Sequence, residues 1–155
     1  MQRRQSIARY MALGAILLLW GCGRQREYPW EIGAENQLSI TDQQASLTLV
    51  EGTLTDTGGR FLLTNQGEKV LYYGQSLELQ PRIGGKWYTV QGVQLDFVAI
   101  AFDLGPGESV TLDIDWTAYY GSLPPGEYRL IKDVSPDDDP IQNRVSFAAA
   151  EFEIQ

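Results

Sequence analysis

From Ala45 to the C-terminus the chain alternates apolar and polar residues with a period of two and carries no long helical periodicity. It can therefore bury one face of a strand but not one face of a helix. Val110-Thr111-Leu112-Asp113-Ile114-Asp115-Trp116 is the clearest case: Val110, Leu112, Ile114 and Trp116 share one face, and Thr111, Asp113 and Asp115 the other. Further strands are predicted over 46–55, 60–65, 76–80, 86–90, 127–133 and 145–154. Turn residues separate them, at Asp56-Thr57-Gly58-Gly59, Gln66-Gly67, Gly84-Gly85, Gly105-Pro106-Gly107 and Pro124-Pro125-Gly126. About seven short strands at this spacing imply an all-β domain built as an antiparallel β-sandwich. In the last strand Val145 and Phe147 have one parity and Phe152 and Ile154 the other, which predicts a bulge near Ala148-Ala149-Ala150.

The N-terminus reads differently. Arg3, Arg4 and Arg9 form a positive region, and Met11 to Trp20 an apolar run too short to span a bilayer as a helix. Together they read as an export signal. Leu19-Trp20-Gly21-Cys22 follows and resembles the lipobox of bacterial lipoproteins, although Trp20 stands where a small or β-branched residue is usual. The resemblance implies cleavage before Cys22, lipid on its thiol (labelling with palmitate would report it), and an exported protein anchored in the membrane and facing away from the cytoplasm. Gly23 fits a Gram-positive membrane and an outer membrane equally. The expected organisation is a signal peptide over 1–21, a lipidated flexible tether over 22–44 and a single domain over 45–155. Within the tether Tyr28 and Trp30 either sit at the bilayer interface or fold back onto the domain. Cys22 is the only cysteine, so no disulfide within the chain is available.

Charge and residue inventory exclude several functions. Loss of Arg3, Arg4 and Arg9 with the signal takes the net charge from −8 to −11, an acidic surface that disfavours nucleic-acid binding. The chain has no histidine, which excludes a Ser-His-Asp triad and removes the commonest general base and zinc ligand. Carboxylates remain at Asp96, Asp103, Asp113, Asp115, Glu151 and Glu153, but their positions are those of solvated strand and loop faces. Asp137-Asp138-Asp139 has the composition of a calcium site without the alternating spacing that makes ligands converge, so a solvated loop is the simpler reading. No cofactor, metal site or catalytic residue is expected, and the protein is read as no enzyme.

Aromatics are the better candidates for recognition. Tyr72-Tyr73, Trp87-Tyr88 and Tyr119-Tyr120 are adjacent pairs, and on a strand neighbours face opposite ways. Tyr73, Trp87, Tyr88, Tyr119 and Tyr120 are therefore candidate binding residues, with closure of the sandwich ends as the alternative role. Tyr128, directly after Pro124-Pro125-Gly126-Glu127, sits where a tyrosine corner would form, its hydroxyl bonding an upstream backbone group.

The order Tyr73-Gly74, Leu77-Glu78, Gly85-Lys86-Trp87-Tyr88, Pro106-Gly107-Glu108-Ser109, Trp116, Tyr120-Gly121, Leu123 to Lys132 and Ala149 to Ile154 resembles bacterial immunoglobulin-like domains of exported, mainly Gram-positive lipoproteins. The stretches 91–103 and around Asp137 are individual. The resemblance implies an immunoglobulin-like sandwich with no known active site. The expected function is a noncatalytic envelope module that binds a protein or glycan partner. The alternative is a protease inhibitor, on a looser similarity to the bacterial intracellular proteinase inhibitors, which share a late Pro-Gly-x-Tyr turn.

Overall fold

In the computed structural model, which describes residues 27–40, 44–97, 100–136 and 146–155, the alternating segments become strands whose apolar parity faces a common interior. In chain order they are β1 (Glu31–Glu35), β2 (Ala45–Leu49), β3 (Gly58–Asn65), β4 (Leu71–Tyr73), β5 (Glu78–Ile83), β6 (Lys86–Gln91), β7 (Phe102–Leu104), β8 (Ser109–Asp115), a single helical turn α1 (Thr117–Tyr120), β9 (Gly126–Ser135) and β10 (Ser146–Ile154). The expected signal at 1–21, Cys22, Asp137 to Asp139 and Val145 lie outside the described residues.

Every pairing between these strands is antiparallel, and they form two sheets. The larger runs β1-β6-β5-β9, with β4 continuing along the same flank of β9 and β7 beyond it; β10 lies on the other flank. The smaller is β2-β3-β8. Their inner faces meet in one core, with Leu47, Phe61 and Leu63 from the smaller sheet against Leu79, Tyr128, Leu130 and Val134 from the larger. Phe152 is the hub: its ring lies 5.5 Å from Trp116, 5.9 Å from Tyr128 and 5.9 Å from Phe61, distances at which aromatic pairs add to simple burial. The architecture is the β-sandwich that the alternation predicted. Gly84 and Gly85, both with positive φ (58° and 82°), make the tight β5–β6 hairpin as a type I′ turn requires.

Four local expectations change. First, Glu31–Glu35, assigned to the tether, is an edge strand hydrogen-bonded to β6, and Gly33 allows a close approach there, since a Cβ would meet Thr89 Oγ1 at 2.3 Å unless that side chain turned. Tyr28 and Trp30 fold back onto the domain: their rings stack at 4.8 Å, and Trp30 Nε1 donates to the Tyr120 carbonyl at 2.9 Å. Second, the strand expected over 46–55 ends at Leu49, because Val50-Glu51-Gly52-Thr53 turns with Gly52 at φ 74°. Third, β10 has no bulge. Its register with β9 is continuous from Ser146 to Ile154, so Ala148, Ala150, Phe152 and Ile154 face the core and Phe147 faces the outer side of the sheet. Fourth, β4 and β7, with three residues each, and α1 are additional elements.

Candidate functional site

The smaller sheet is unevenly covered. Phe61 and Leu63 on its central strand are wholly buried, whereas Val110, Leu112 and Ile114 on β8 carry the same inward parity and are only half-buried. β8 is one of the two edge strands of this sheet, and opposite it the larger sheet is interrupted between β4 and β5. The gap is a crevice of about 410 Å³ walled by the β8 row with Tyr73, Phe97, Phe102 and Tyr119. Tyr73 and Phe102 pack at 5.4 Å, Phe97 and Tyr119 at 5.1 Å, and Phe102 remains 42% exposed.

Lys132 is the most buried residue lining this crevice, 2% exposed. Its ammonium group donates to the carbonyls of Gly74 and Ser76, the backbone of the β4–β5 interruption, and Ser76 Oγ donates to Asp133. Burial lowers the Lys132 pKa, with neighbouring Asp133 acting in the opposite direction. Asp113 and Asp115 alternate with the crevice-facing row and carry their side chains on the outward face of β8. Tyr73 has its hydroxyl pKa raised by burial and then by Asp103. Arg60 pairs with Asp113 at 2.7 Å, but both side chains are well exposed.

The candidate aromatics divide by position. Tyr73 and Tyr119 belong to the crevice. Trp87 lies on the outer face of the larger sheet, with the Arg129 guanidinium 4.8 Å and that of Arg82 5.5 Å from its ring centre. Arg129 also donates through Nε to Gln80 at 2.8 Å beneath residues 36–40. Tyr88 is half-buried on β6 opposite Glu35. Tyr120 is a core residue: 3% exposed, it accepts the Leu79 N–H through its hydroxyl at 3.2 Å, and burial raises its pKa. Tyr128 is fully buried, and its hydroxyl donates to the Pro124 carbonyl at 2.7 Å, the bond of a tyrosine corner.

The described carboxylates have local partners or face solvent. Asp113 faces Arg60, Asp115 accepts the Thr117 N–H and hydroxyl, which lowers its pKa, and Glu151 and Glu153 are exposed. Among the described residues no group of three or more acidic, histidine or cysteine side chains is placed to hold a metal. Lys132, Phe97 and Phe102 were not among the predicted site residues. For Lys132 a signal existed, since Tyr128, Leu130, Lys132 and Val134 share the inward parity of β9.

The family model described as bacterial Ig-like domain matches residues 41–153. No curated protein matches the chain in sequence. Among solved structures, PapD-like domain 7 of human CEP192 is similar at 10% identity and TM-score 0.36, covering 81% of this chain and 97% of that one. A β-glucosidase from Kluyveromyces marxianus in complex with glucose is similar at 16% identity and TM-score 0.33, over 72% of this chain and 14% of that one. At those scores neither neighbour bears on function.

Proposed function

This chain belongs to the bacterial Ig-like domain family, and from that membership we propose that it is a noncatalytic binding module, exported and held at a membrane by lipid on Cys22, that engages a protein or glycan of the cell envelope. The observation that carries the binding half is the crevice beside β8, an apolar and aromatic surface left half-covered where the larger sheet is interrupted. Exposed aromatic groups beside a cleft are the usual anchors of recognition. The anchoring half is supported by the order of basic residues, apolar run and Cys22.

Metabolic labelling with radioactive palmitate tests the anchor: label is expected in the full-length chain and absent from Cys22→Ser, and persistent label in that variant would refute it. Cross-linking in native membranes, followed by mass spectrometry, tests the module. One envelope component enriched with the full-length chain and lost with Cys22→Ser is expected; recovery of the bait alone would count against a stable partner.

A further inference from the structure

Among the described residues the outer edge of β8 is an unused half of a β-ladder, since β8 pairs with β3 alone. The register runs Leu63 to Val110, Phe61 to Leu112 and Gly59 to Ile114, and Asn65 N–H to Glu108 O at one end and Trp116 N–H to Thr57 O at the other set its phase. In an antiparallel pair hydrogen-bonding positions alternate, so the N–H and C=O groups of Val110, Leu112 and Ile114 are turned to β3 and those of Thr111 and Asp113 point outward. The side chains alternate in the same rhythm. Val110, Leu112 and Ile114 face the crevice, while Thr111, Asp113 and Asp115 are exposed.

We propose that the edge of β8 receives an extended peptide segment by strand addition, its inward side chains apolar and its outward side chains basic. The inference rests on the binding-module reading and names its site. Among the described residues the row of Val110, Leu112 and Ile114 is only half-buried and has no strand beside it on this edge. An apolar cavity of roughly 150 Å³ accommodates a benzene-sized group, so about 410 Å³ holds two to three such side chains. A basic residue is unfavourable inside because the buried Lys132 ammonium lies against the crevice, and favourable outside because two carboxylates, Asp113 and Asp115, face a single cation, Arg60, on the outward row. That charge also argues against a second copy of the chain: two β8 edges side by side would set like carboxylates against one another, in a protein of net charge −8. Main-chain hydrogen bonds would provide affinity, and the alternating side chains specificity.

The test is fluorescence anisotropy of the full-length chain in detergent with a labelled heptapeptide of alternating lysine and valine. Saturable binding is expected, with at least tenfold weaker binding of the alternating glutamate and valine peptide and of the lysine and valine peptide N-methylated along one hydrogen-bonding edge. Thr111→Pro removes one outward N–H without touching the β3 ladder and should weaken binding by a similar factor. Hydrogen exchange at the Thr111 and Asp113 amides should slow when peptide is bound. No saturable binding, or binding indifferent to N-methylation, would overturn the proposal, and the N-methylated peptide keeps it testable even if Thr111→Pro fails to fold. An envelope partner captured equally well by Thr111→Pro would remove this site and leave the module reading standing.

Discussion

Lys132 occupies a position that strand alternation gives to the interior, between Leu130 and Val134 on the inward parity of β9. A lysine is tolerated there because the chain breaks between β4 and β5 and turns the Gly74 and Ser76 carbonyls toward its ammonium group. The arrangement has a pH signature. The folded-state pKa is lowered by burial, so the unfolded chain binds the proton more tightly, and folding stability gains from this group as pH rises through the interval between the folded pKa and the ordinary lysine value of 10.5. Urea denaturation of the wild type and Lys132→Met from pH 7 to pH 10 should show the difference, wild type minus variant, moving in favour of the wild type. A difference that stays flat would mean that the ammonium group is not buried in solution. The lysine's inward parity was legible in the sequence. The two carbonyls that hold it were not, because they lie more than fifty residues away along the chain.

β1 is an element that hydropathy could not reveal. Glu31-Ile32-Gly33-Ala34-Glu35 has one sizeable apolar residue, and what makes it a strand is the open edge of β6 together with the seat of Trp30 on the Tyr120 carbonyl. Trp30→Ala removes that hydrogen bond and a half-buried ring, with an expected loss of about 1–2 kcal/mol in urea denaturation. It should also quicken hydrogen exchange along β1 and the facing amides of β6. Unchanged exchange there would show that β1 docks without its aromatic anchor. The strands with long clean alternation, β3, β8 and β9, were readable to within a few residues because each lays one apolar face on the core. β4 and β7, at three residues each, are too short for a period to register. The parity change that suggested a bulge in β10 has another cause: Phe147 belongs to a hollow of about 500 Å³ on the outer face, with Ile131 and Val90, so both parities of that strand are apolar in places.

At the scale of the whole molecule the candidate site is assembled from parts that no local motif joins. β4, β7, β8, α1 and the stretch around Phe97 each contribute one wall of the crevice. The acidic balance, by contrast, is plain from composition and makes a prediction of its own. If the carboxylates of β8 select a basic segment, raising salt from about 50 mM to about 500 mM shortens the screening length from roughly 14 Å to roughly 4 Å. Affinity for the lysine and valine peptide should then fall several-fold by anisotropy; an affinity indifferent to salt would leave main-chain pairing and apolar contact as its sole sources. Trp30 has a consequence of a different kind. Because the chain is fastened to the domain from Tyr28 onward, a lipid on Cys22 would be separated from the first fastened residue by six peptide steps, at most roughly 20 Å of extended chain. Tyr120, which holds Trp30, adjoins Tyr119 of the crevice wall, so the end of the sandwich carrying the crevice would be kept on a leash shorter than a bilayer is thick. Under the proposed anchoring, that short leash would favour segments lying along the membrane surface.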